Sequence, residues 1–240
     1  MEGKPMHKKF LIISAVIAIF VSVSTSLNAQ NNDQGKEMRA AVERVKKATE
    51  TIDEIMKSGD KSIPLDLLSK AKAVVVFPGS LKFGFIIGGQ GGKGVAVSRL
   101  ANGWSAPAFI NMGGGSIGPQ IGGQQTDYVL LIMNENGLKN LLKDKFEIGG
   151  EGSVAAGPVG RTAAASTNVT MDAEILSYSR SKGLFAGVSL KGVVISQDED
   201  MNQAIYQKSA REILSENPIL WSQAPGSLQG LPKLLARYSR

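Results

Sequence analysis

The chain has 240 residues, with 27 Lys and Arg against 21 Asp and Glu, 28 glycines, one histidine and no cysteine. The lack of cysteine rules out a disulfide framework and thiolate metal sites, and the single histidine, His7, lies in the N-terminal leader. Beyond that leader, serine–histidine and cysteine–histidine catalysis have no base, and zinc, copper or haem would lack their usual ligands.

Lys4, Lys8 and Lys9 precede an uncharged apolar run from Phe10 to Val23, followed by small residues up to Ala29. That pattern predicts a secretory signal peptide over residues 1–29, cleaved near Ala29 or, as the alternative, kept as an anchor, and hence an exported protein, periplasmic, envelope-associated or secreted. A polar lead-in, residues 30–35, follows. From Lys36 to Lys57 the apolar residues Met38, Ala41, Val42, Val45, Ala48, Ile52, Ile55 and Met56 recur at helical spacing. The opposite face mixes Lys36, Arg39, Arg44, Lys46, Lys47 and Lys57 with Glu37, Glu43, Glu50, Asp53 and Glu54; it is charge-balanced and free of aromatics, which suits packing on a sheet better than lying on a membrane. Ser58-Gly59-Asp60 ends that helix, and a shorter one is expected after Ser62-Ile63, with Pro64 in its first turn.

Residues 71 to 194 hold 23 of the 28 glycines. Ala73 to Phe77 is a β-favouring run stopped by Pro78-Gly79, and Phe83 to Ile87 leads into the cluster Gly88 to Gly94. This cluster is expected to form a glycine hairpin in which Gly91→Val costs about 1–3 kcal/mol. Strands are further expected at Val95 to Ser98, at Trp104 to Ile110 after an Asn102-Gly103 turn, at Ile117 to Gly123 and at Thr126 to Met133. The last of these is apolar almost throughout and therefore expected to be central. A short helix around Leu138, Leu141 and Leu142, strands at 149–160, 162–170 and 184–195, and a helix from Met201 to Ser215 complete the domain. A tail of residues 216–240 follows.

Three motifs fail on context. Gly89 to Gly94 satisfies the dinucleotide glycine pattern, but a strand rather than a helix follows it, so no nucleotide is expected. Gly114-Gly115-Ser116-Ile117-Gly118 matches the hydrolase elbow without a histidine to serve it. The carboxylates Asp127, Glu147, Glu151, Asp172 and Glu174 show no pairing in their spacing that would mark a carboxylate hydrolase. Nucleic-acid binding would need a denser basic cluster with interleaved aromatics.

Residues 71–192 carry eleven basic and seven acidic residues, so the positive surplus of the chain after the leader sits in the glycine-rich core. Several short motifs then occur in one order. They are Ile63-Pro64, Phe77-Pro78-Gly79, Lys82-Phe83-Gly84-Phe85, Gly103-Trp104-Ser105-Ala106-Pro107, Gly157-Pro158-Val159-Gly160-Arg161, Ser177-Tyr178-Ser179 and Lys182 to Gly187. Together they span about residues 36 to 214. In this set the chain resembles the SYLF family of lipid-binding domains, some of which also bind actin filaments. The resemblance implies a non-catalytic domain, without cofactor, that associates with anionic membrane lipids. A protein-interaction module, actin-binding in its eukaryotic form, is the alternative, and a histidine-free hydrolase acting through carboxylates is a second, lesser one.

The expected architecture is α+β: one SYLF-like domain over 36–215 with a glycine-rich antiparallel β core, barrel-like or a sandwich. An N-terminal amphipathic helix and a C-terminal helix flank it. The residues expected to meet lipid head groups are Lys82, Lys93, Arg161, Arg180, Lys182 and Lys191. Arg161, whose guanidinium can fork onto a phosphate, is the foremost of them, with a carboxylate such as Asp172 or Glu174 as its competing partner.

Overall fold

The computed structural model describes residues 34–84, 87–117, 124–160 and 173–239. The expected signal peptide, the strand at 162–170 and Arg161 lie outside them.

Helix α1 (34–57) and helix α2 (Leu65–Lys70) precede the sheet. The sheet strands are β1 (Ala73–Gly84), β2 (Ile87–Leu100), β3 (Gly103–Trp104), β4 (Ala108–Ile117) and β5 (Gln124–Ile132). Helix α3 (Glu135–Leu141) leads to β6 (Lys145–Ile148), β7 (Val154–Ala156), β8 (Ile175–Ser181), β9 (Leu184–Gly187) and β10 (Val193–Gln197). Helices α4 (Glu199–Tyr206) and α5 (Gly230–Tyr238) close the chain, with a π-helical turn Glu212–Glu216 between them. The strands run in the order β6-β10-β4-β2-β1-β5-β8-β7, with β3 added to β2 and β9 to β8. This path curls into a half-barrel. Every described pairing between two strands is antiparallel except β7 with β8.

Both faces of the sheet are buried, which explains the unbroken apolar run of β1: Ala73, Val74, Val75 and Val76 are all fully buried. Alternation sends Val74 and Val76 to one side, together with Val95, Val97, Val129 and Leu131. There they meet Ala41, Val45, Ala48, Ile52 and Ile55 of α1 and Leu231, Leu234 and Leu235 of α5. The stripe on α1 is thus committed to the sheet, as its lack of aromatics and balanced charge foretell. Ala73, Val75 and Phe77 face the other way and pack with Tyr128, Leu130, Phe146, Ile195, Ile213 and Leu214. That cluster draws on strands from β6 to β8 of the order, as a curled sheet requires.

The glycine cluster is not a hairpin. Gly88 to Gly94 lie within β2, paired on one side with β1 (Lys82 with Gln90, Gly84 with Gly88) and on the other with β4. The connection at 85–86 falls outside the described residues. Gly113-Gly114-Gly115 is likewise strand, inside β4. The reason is packing. A Cβ on Gly92 would lie 3.0 Å from Ser80 Cβ, and one on Gly94 would lie 2.8 Å from the Val76 carbonyl oxygen. Gly91 has neither a positive φ nor a crowded Cβ position, so it is not the critical glycine. Pro78 and Gly79, at φ 59°, instead form a bulge in β1 where the register shifts.

Other boundaries also differ from expectation. Pro64 caps α2 from just outside rather than sitting in its first turn. Strands β6 and β8 arise where none is expected, and residues 184–195 form two strands, not one. The helix expected from Met201 to Ser215 stops at Tyr206, because Gln207 is left-handed at φ 55°. The tail packs into the core: Leu228, Leu231, Leu234 and Leu235 are buried, and Trp104 Nε1 donates to Ser239 Oγ at 3.3 Å.

Candidate binding surface

Cross-strand rows show where the expected lysines stand. Lys82 of β1 is paired with Gln90 of β2, which is paired with Gly114 of β4, itself opposite Val193 of β10. Lys191 lies two residues before Val193, at the same end of the sheet. On the other flank Leu81 pairs with Gln125, and Ser181 Oγ donates to the Gln125 carbonyl at 3.3 Å. Lys182 follows Ser181 in the two-residue turn between β8 and β9. Lys82, Lys182 and Lys191 therefore gather toward one end of the half-barrel.

The turn itself is unusual. Lys182 at φ 50° and Gly183 at φ 77° both have left-handed backbones, as a two-residue hairpin with strand-matched twist requires. A lysine accepts that conformation reluctantly. It holds Lys182 exposed at the tip, next to Leu184, which is 73% exposed. Leu81, 50% exposed, is the second large apolar side chain at this end. Lys82 Nζ stands 5.7 Å from the centre of the Tyr128 ring.

Arg180 is spent differently. Its Nε and Nη2 donate to Asp127 Oδ2 at 2.9 and 2.7 Å, and its Nη1 pairs with Glu54 of α1. Asp127 in turn accepts from the Gly79 backbone N–H at 2.7 Å, fixing the bulge of β1. Burial works against the Arg180 charge, but the hydrogen bonds and charges of the two carboxylates more than offset it and raise its pKa further. This guanidinium ties α1 to the sheet across a polar cleft of about 370 Å³ that Lys182 and Gly183 also line. Lys93 stands apart on the α1 side, in a second cleft with Arg44, Lys47 and Pro78.

The remaining carboxylates are dispersed. Glu151 pairs with Lys143 at 2.9 Å, and Glu174 accepts from Asn140 Nδ2 at 3.1 Å. Glu147 is exposed, and Asp172 lies outside the described residues. Among the described residues no group of three or more His, Asp or Glu side chains could hold a metal ion. No described helix is long and apolar enough to cross a membrane.

Arg44 is a charged residue that the helical spacing placed wrongly. Assigned to the polar face of α1, it is 7% exposed and bonds Asp198 Oδ2 at 2.8 Å, with its guanidinium 5.4 Å over the Phe109 ring. Its position three residues after Ala41 and four before Ala48 puts it at the margin of the apolar stripe, and that spacing was the available signal.

Known proteins carry the same chain pattern. LAS seventeen-binding protein 3 of Saccharomyces cerevisiae is 37% identical over 188 residues, covering 74% of this chain and 41% of that protein. Protein YSC84 of the same yeast is 36% identical over 70% of this chain and 38% of its own length. The human SH3 domain-containing YSC84-like protein 1 is 34% identical over 63% of this chain and 45% of its own. The chain thus spans less than half the length of these relatives. Residues 113–238 match the profile of the Ysc84 family, described as "Las17-binding protein actin regulator". That match covers more than half of the sequence and takes in the second half of β4, β5, the β8–β9 turn and the packed C-terminal helix, so the chain belongs to the Ysc84, or SYLF, family.

Proposed function

We propose that this chain is a non-catalytic binding module whose partner is a protein of the actin-regulatory kind. The observation that supports this reading is the family match over residues 113–238, whose description names Las17 binding and actin regulation. Co-sedimentation of the full chain with actin filaments, and its retention on immobilised Las17, test it. The chain should be held by one or the other in a saturable way. Retention by neither at any concentration tried would remove the reading.

A second reading, contact with an anionic membrane surface, is favoured by a different observation. Lys82, Lys182 and Lys191 share one end of the half-barrel with the exposed Leu81 and Leu184. Basic side chains beside an apolar tip suit a charged interface. Export by the leader 1–29 to the periplasm or envelope belongs with this reading, and Arg161 would join the basic set. The contact would come from the sheet end and not from α1, whose stripe is buried. Flotation at low salt should carry the protein with phosphatidylglycerol vesicles and leave it behind with pure phosphatidylcholine. Lys82→Gln and Lys182→Gln should each weaken binding by about fivefold, the effect of about 1 kcal/mol per basic residue. Equal flotation with both vesicle types would dismiss it.

A further inference from the structure

Helix α1 and the paired strands β1 and β2 line a cleft of about 240 Å³, with Arg44, Lys47, Pro78 and Lys93 among its walls. Arg44 is almost fully buried, yet among the described residues its one hydrogen bond is that from Nη1 to Asp198. A guanidinium offers five N–H donors. Among the described residues the buried side-chain atoms left without a partner are Gln90 Oε1, Asn111 Oδ1 and three tyrosine hydroxyls. No Arg44 nitrogen is among these sealed atoms, so its unused donors are not fully enclosed, and Arg44 is one of the residues lining the cleft. Lys47 reaches Glu43 at 2.8 Å across one helical turn, and Lys93 is exposed without a partner among the described residues.

The local charge selects the occupant. Arg44, Lys47 and Lys93 face Glu43 and Asp198, leaving a surplus of one positive charge. A single carboxylate balances it, and its two oxygens match the planar fork of arginine. A phosphate dianion would leave one negative charge uncompensated beside a largely buried guanidinium. A free carboxylate would gain little else in so small a cleft, whereas one delivered on a protein surface adds contacts around the rim.

We propose that this cleft receives an acidic side chain, Asp or Glu, of the protein partner. The inference rests on the protein-partner reading above and names the chemistry of the contact. Fluorescence anisotropy of the full chain with a labelled hexaglutamate peptide tests it, with hexaglutamine as the control. The glutamate peptide should bind at low salt and the glutamine peptide should not. Lys93→Gln should weaken binding about fivefold or more, with an unchanged urea midpoint because Lys93 is exposed, while Lys139→Gln, at an exposed position of α3, leaves binding as in the wild type. Inorganic phosphate should compete no better than chloride at equal ionic strength. Binding indifferent to Lys93→Gln, equal binding of the two peptides, or displacement by low phosphate would each overturn the assignment. If the peptide fails while the chain is still retained by actin filaments or Las17, only the cleft assignment falls. Loss of both removes the underlying reading as well.

Discussion

Gly94→Ala is the sharpest probe of why β2 is rich in glycine. The added Cβ would sit 2.6 Å from Phe77 Cε1 and 2.8 Å from the backbone oxygen of Val76. Phe77 is 1% exposed and enclosed by the core, and Val76 is held in the β1–β2 ladder opposite Val95, so neither neighbour can retreat cheaply. Overpacking of this kind costs about 1–3 kcal/mol. Against it stands the smaller entropy of the unfolded alanine chain, worth about 0.4–1 kcal/mol. The net loss should be about 1–2 kcal/mol, or about 3–6 °C in Tm for a domain of this size. Gly91 is the internal control, since its Cβ would meet only the Met112 oxygen at 3.7 Å. Gly91→Ala should leave stability unchanged or slightly raised. Urea unfolding followed by the fluorescence of Trp104 and Trp221 measures both. A Gly94→Ala midpoint equal to wild type, or an equal fall in Gly91→Ala, would refute the steric account.

Asp198→Asn should destabilise the fold by about 2–4 kcal/mol in urea titration, because it strands the largely buried Arg44 without its counter-charge. Burial raises the pKa of Tyr178, with Asp66 adding to the effect, and burial alone raises that of Tyr206, both from 10.0. Their contribution is therefore whole below pH 10 and is lost as pH climbs from 10 toward the raised folded values, at about 1.4 kcal/mol per pH unit for each tyrosine. Melting curves between pH 8 and 11 should show this decline, and Tyr178→Phe with Tyr206→Phe should flatten it; an equally steep fall in the double variant would exclude these two phenols. N-terminal sequencing of the protein recovered from cells should begin at or close to Gln30, and an intact Met1 would rule out cleavage of the leader. Arg161→Gln should reduce vesicle flotation at constant Tm if that guanidinium meets lipid, and should lower Tm if it pairs with a carboxylate.

Periodicity carried much of the architecture. The stripe of α1, the apolar run of β1, the continuous β5 and the Asn134-capped α3 are all visible as spacing in the sequence. Glycine density misled, because it marked close approach between strands rather than turns: Gly92, Gly94 and Gly114 each leave room that a neighbouring strand, or its side chains, occupies. Strand β8 hid because Ser177 and Ser179 interrupt its apolar residues, while in the fold Ser177 Oγ is satisfied by the Ala155 and Val188 carbonyls. The break at Gln207 has no sequence signal, since glutamine does not favour a left-handed backbone. Among the basic residues the sequence could name candidates but not their company. Nothing local to Arg180 announces Asp127 and Glu54, which lie 53 and 126 positions away.

The strand order also fixes when the sheet can be completed. Strand β4 emerges from the ribosome early and finds β2 at once, but its other neighbour is β10, about eighty residues later. Until residues 193–197 arrive, the glycine stretch of β4 presents an unpaired edge, and β6 has no strand to lie against because β10 is its partner too. A nascent chain is therefore at its stickiest in the long interval between these strands, when a second copy can pair with the open edge. Chains halted before Val193 should partition into aggregates, and those extended through Gln197 should not.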